Sequence, residues 1–84
     1  MKLPPLDDNQ QRLLREVVGQ GIVRGGELMR ATGMKADELI TTAKPLLKYD
    51  LIEVSGNPFD EEEVMYAVFS VRPSDTEFLK YSLS

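Results

Sequence analysis

The sequence predicts a single α+β domain in which two helices joined by a tight turn run directly into a β-hairpin. Three observations carry that expectation. Apolar residues recur at helical spacing through Leu13, Leu14, Val17 and Val18, and again through Leu39, Ala43 and Leu46. Gly33 stands between the second and third helical stretches, where a left-handed turn residue is needed. Two extended apolar runs, residues 51–55 and 64–71, then flank Gly56-Asn57-Pro58-Phe59 and an acidic tip, as the arms of a hairpin do. At 84 residues there is room for one core and little else, so residues 1–84 are read as one domain.

Each element has its own signal. After a flexible arm over residues 1–6, Asp7 is the expected N-cap of the first helix and Gln10 its capping-box partner, with Asp8 at the positive end of the dipole. Gly19 and Gly21 end that helix. Ile22-Val23-Arg24 is expected as a short third strand, and the next helix spans about residues 26–32. A longer helix is expected over about 35–49, with Met34 plugging the turn before it. Pro45 removes a backbone donor and crowds the carbonyl four residues back, so this helix should bend or restart near residues 41–45. The hairpin spans 51–72, and its 64–71 strand is apolar on both faces. Either a helix covers each face, Phe78, Leu79 and Tyr81 folding back over one, or one face meets another molecule. Ser74 and Glu77 form a second capping-box pattern that starts a C-terminal helix over 75–82.

Composition narrows the function classes. The chain has neither cysteine nor histidine, which removes disulfides, thiolate or imidazole metal sites and Ser-His-Asp catalysis. No pair of Asp, Glu, Lys or Tyr is spaced to form an evident catalytic site, so the chain is read as non-enzymatic, with no metal, cofactor or small-molecule substrate. No apolar run is long enough for a signal peptide or a membrane span, and a cytoplasmic location without membrane partners is expected. The net charge is −4, unevenly spread. Residues 1–50 carry eight Lys or Arg against seven Asp or Glu, and residues 51–84 carry two against seven. Such a chain repels phosphate at long range.

From Glu27-Leu28-Met29-Arg30-Ala31-Thr32-Gly33-Met34 through Leu39 and Leu46 to Leu51-Ile52, the spacing resembles the helix-turn-helix and wing of MarR-type and related bacterial winged-helix regulators. The resemblance covers residues 27–52. It implies a winged helix-turn-helix fold: three helices, a hairpin wing with a short third strand and a short last helix. It also implies that Lys35, Ala36, Asp37, Glu38, Thr41 and Thr42, early in the second helix of the motif, face a DNA major groove. Three features depart from that pattern. Lys35 stands uncapped before Asp37-Glu38, where the family has small hydroxyl residues. The wing tip is Asp60-Glu61-Glu62-Glu63, where the family carries Arg or Lys, and acids there oppose docking on phosphates. Ile40 and Leu47 add a second apolar stripe where such regulators are polar.

Two functions follow from different weightings of these features. In the first, the domain is a non-catalytic regulatory or interaction module that binds a protein partner or a second copy of itself. Its contacts would be Ile40, Leu47, Tyr66, Val68 and the acids Asp60, Glu61, Glu62 and Glu63. In the alternative it is a DNA-binding transcriptional regulator. There Lys35, Thr41 and Thr42 read the groove while Arg24, Arg30 and Lys44 hold phosphates. Every one of these features also has a plainer reading, namely a solvated acidic loop, scattered solubilising charge, and Ile40 and Leu47 packed beneath the arm or the last helix.

Overall fold

The computed structural model describes residues 3–83, which form an α+β fold of four α-helices and one three-stranded antiparallel sheet. The order is α1 (Asp8–Gln20), β1 (Ile22–Arg24), α2 (Gly25–Thr32), α3 (Ala36–Lys48), β2 (Glu53–Ser55), β3 (Val68–Ser70) and α4 (Thr76–Leu83). Single 3₁₀ turns occupy Val64–Tyr66 and Pro73–Asp75. Of the expected arm over residues 1–6, Met1 and Lys2 lie outside the described residues, while Leu3 and Leu6 pack against the core.

Local signals set most helix ends. Asp7 Oδ1 accepts from the Gln10 backbone N–H at 2.7 Å, and Gln10 Oε1 accepts from the Asp7 N–H at 3.0 Å, so the capping box at α1 is complete. Gly33 closes α2 at φ 75° and ψ 9°, donating its N–H to the Met29 carbonyl. Thr32, buried beside it, donates Oγ1–H to the Leu28 carbonyl at 2.7 Å and accepts from the Met34 N–H at 3.3 Å. At the start of α3 Lys35 supplies no acceptor, but Glu38 Oε1 accepts from the Lys35 N–H at 3.3 Å. The helix then runs through Pro45 without the restart expected near residues 41–45. Pro45 removes only the donor that would meet the Thr41 carbonyl, and buried Leu39, Ala43 and Leu46 hold the turns on either side.

The C-terminus of α3 is a Schellman motif built on an aspartate. Asp50 adopts φ 60°, its N–H donates to the Leu47 carbonyl, and the Leu51 N–H donates to the Leu46 carbonyl. Leu51 and Leu46 are both buried, which supplies the apolar contact that accompanies such a cap. A left-handed conformation costs a non-glycine residue on the order of 1 kcal/mol, and Arg72 secures it. Its guanidinium meets Asp50 Oδ2 at 2.7 Å, the Asp50 carbonyl at 2.9 Å and Asp75 Oδ2 at 2.8 Å. These hydrogen bonds, to Asp50 first and then to Asp75, hold the guanidinium above its ordinary pKa. The junctions α3–β2 and β3–α4 are thereby tied together.

In the sheet β3 is central, with β1 and β2 antiparallel on either side. Phe69 pairs with Val23 on one side and Val54 on the other, and is fully buried. The strand expected over 64–71 is confined to Val68–Ser70, because Val64–Tyr66 winds into a 3₁₀ turn. The Asp60 carbonyl starts that turn by accepting from the N–H groups of Glu63 at 3.1 Å and Val64 at 2.8 Å. Val64 and Ala67, three residues apart, are buried together, while Met65 and Tyr66 point outward. The run is therefore two-sided only in its sequence. Before α4, the Asp75 N–H and Thr76 Oγ1–H both reach the Arg72 carbonyl, so Thr76 rather than the expected Ser74 opens the helix.

The turn is seated directly on the first residue of α2. The Gly25 N–H donates to the Ala67 carbonyl at 2.9 Å, and a Cβ at Gly25 would lie 1.9 Å from the Val64 carbonyl oxygen. That neighbour is backbone and has no rotamer to give. Gly25→Ala is expected to destabilise the domain by about 2–4 kcal/mol in urea denaturation. Gly19→Ala, within α1 and facing open space, should instead raise stability by about 0.5 kcal/mol.

Candidate functional site

Three surfaces carry the residues singled out by the sequence. The first is the outer strip of α3. Lys35, Asp37, Glu38, Thr41, Lys44 and Lys48 are exposed along it, but Thr42 is buried at 8% exposure and cannot reach a groove. The apolar stripe expected outside this helix is not there. Ile40 is a core residue at 7% exposure, and Leu47 is half-buried against the core. The reason is that α1, α2 and the Val64–Tyr66 turn all pack on α3, so its buried arc is wider than the Leu39, Ala43 and Leu46 line alone. The charges left outside follow the helix dipole, with Asp37 and Glu38 in the first turn and Lys48 in the last.

The second surface is the hairpin loop. Asn57 Oδ1 accepts from the Phe59 N–H at 3.1 Å and Asp60 Oδ1 from the Glu62 N–H at 2.7 Å, so two short side-chain turns shape it. Lys44 Nζ lies 5.8 Å from the centroid of the Phe59 ring, a cation–π distance that sets the loop beside α3. Asp60, Glu61, Glu62 and Glu63 are all exposed. Among the described residues none of the four has an ion-pair partner, and no three carboxylates converge on a metal position.

The third surface was only partly foreseen. Arg24 and Arg30, named with Lys44 as phosphate contacts in the DNA reading, border an open groove of about 570 Å³ between α2 and the Val64–Tyr66 turn. Its floor and wall are Met29, Met65 and Tyr66, and Glu27 also reaches it. Tyr66 is 71% exposed and Ile22, on the adjacent edge strand, 72%. Val68, named with Tyr66 as a protein contact, is half-buried and pairs with Arg24 and Ser55 in the sheet. Met29, Met65 and Ile22 were not singled out by the sequence. The signal that could have found Met65 is the three-residue spacing of Val64 and Ala67, which implies a turn with both intervening side chains outside.

Comparison of the chain with protein-family models, curated proteins and solved structures gave no match. Among the described residues no helix is long and apolar enough to cross a membrane.

The burial pattern separates structural from surface positions. Ile40→Asp places a charge in the core and should cost about 3–5 kcal/mol, seen as loss of the cooperative unfolding transition. Tyr66→Asp, on an exposed turn, should leave stability within about 0.5 kcal/mol of wild type in the same measurement.

Proposed function

We propose that this chain is a non-catalytic winged-helix module that works through contact with protein rather than by reading DNA. The fold reading is supported by the element order α1-β1-α2-α3-β2-β3, the sheet order β1-β3-β2 and the left-handed Gly33 turn between α2 and α3. In that arrangement α3 is the reading helix and the hairpin over 51–72 is the wing, with residues 56–67 between its strands.

One observation carries the functional reading. The contact between Lys44 and Phe59 holds the wing against the reading helix, and the next four residues of that wing are acids with no ion-pair partner among the described residues. A duplex laid on α3 would meet Asp37, Glu38 and the wing acids together, and each carboxylate there opposes the phosphate contacts on which even non-specific binding depends. Lys35, Thr41 and Lys44 remain exposed on α3 for the competing DNA reading, but Thr42 is lost to burial, and Arg24 and Arg30 line the groove between α2 and the Val64–Tyr66 turn. Exposed apolar side chains gather on that groove instead, at Met65 and Tyr66, and aromatic and methionine side chains with arginine are the composition of protein interfaces.

The test is an amide chemical-shift titration with mixed short duplexes at low salt. The amides of residues 35–44 should stay unmoved up to about 100 μM duplex, a concentration at which non-specific binders are already engaged. Saturable shifts there would overturn the protein-contact reading.

A further inference from the structure

Resting on that reading, we propose that the partner is a second copy of this chain, docked through a two-fold interface centred on Tyr66. Tyr66 borders two clefts at once. On one side lies the groove of Arg24 and Arg30, and on the other a smaller cleft that includes Glu63, Gly56 and Asn57. Across the exposed tyrosine the surface thus passes from two arginines to the acidic end of the wing.

A patch that is basic at one end, apolar in the middle and acidic at the other is complementary to itself when rotated by half a turn. Residue i of one copy then meets residue j of the other, and j meets i, as a closed two-fold contact requires. Here Arg24 and Arg30 of each copy face Glu62 and Glu63 of its mate, with the Tyr66 side chains near the axis. The charges at both ends are available, because among the described residues neither arginine nor any of the four acids has an ion-pair partner within the chain. Arg72, by contrast, is already committed to Asp50 and Asp75. Glu27 also lines the groove and offsets part of its positive charge.

Sedimentation velocity of the chain from about 10 μM to about 1 mM should show a monomer–dimer equilibrium with no larger species. Reversing the basic end (Arg24→Glu with Arg30→Glu) or the acidic end (Glu62→Lys with Glu63→Lys) should raise the dissociation constant by about tenfold or more, since like charges then face each other. An equimolar mixture of the two reversed variants should restore dimers, as mixed pairs. Tyr66→Ser, which changes no charge, should weaken pairing of the wild-type surface as well. A wild-type monomer at the highest concentration, an open ladder of larger species, or a mixture that fails to pair would each overturn the two-fold interface. A monomer whose α3 amides still ignore DNA would overturn this inference while leaving the protein-contact reading in place. Shifts on duplex addition would remove that reading whatever the sedimentation result.

Discussion

The approach of two backbones at Gly25 organises the side of the molecule on which its function is proposed to lie. The first residue of α2 lies so close to the Val64 carbonyl that only hydrogen fits where a side chain would stand, and its N–H is taken by the Ala67 carbonyl. Once the return segment of the hairpin is seated there, it must wind as a turn before it can pair as a strand. Val64 and Ala67 then enter the core and Met65 and Tyr66 are turned outward. The groove of Arg24 and Arg30 is the space left beside that seat. A larger residue at position 25 would shift the turn and so reshape the groove as well as weaken the fold.

What could be read from the sequence was what a few neighbouring residues decide. The Asp7 and Gln10 box, the left-handed Gly33 and the extended Ile22-Val23-Arg24 each depend on local chemistry, and each stands where it was expected. Segment 64–71 was misread because a run of apolar residues fits a strand and a buried turn equally, and Gly25, almost forty residues earlier, decides between them. Ile40 was left open between an outward stripe and burial because a single helix shows its own periodicity but not how many neighbours will cover it. Asp50 gave no signal, since the left-handed end of a helix is usually announced by glycine and here is held by an arginine twenty-two residues on. The surface residues had a mixed outcome. Arg24, Arg30 and Tyr66 were each marked, but under opposing functions, and only the packing of the turn on α2 brings them to one groove.

The charged residues separate by what they do for the monomer. Asp37 and Glu38 complement the dipole at the start of α3, and Glu38 also receives the Lys35 N–H, so these acids are accounted for by the helix itself. Asp60 is accounted for by the N–H it accepts from Glu62. Arg30 likewise complements the dipole at the end of α2. Among the described residues Glu61, Glu62, Glu63 and Arg24 have no ion pair and no such role. Charges that give a folded monomer nothing are the ones whose placement most needs an explanation outside it.

Both edges of the sheet are three residues long, and each bears a charge: Arg24 on β1 and Glu53 on β2. So short a row of free N–H and C=O groups is a poor template for a further strand, and ionised side chains along it discourage apposition. A surface holding Tyr66, Met65 and Ile22 would otherwise be a hazard, since sticky side chains beside an open edge are how chains polymerise through their backbones. With the edges blunted, encounters at this face are left to side chains alone, which permits contacts that form and dissolve without propagating into fibres.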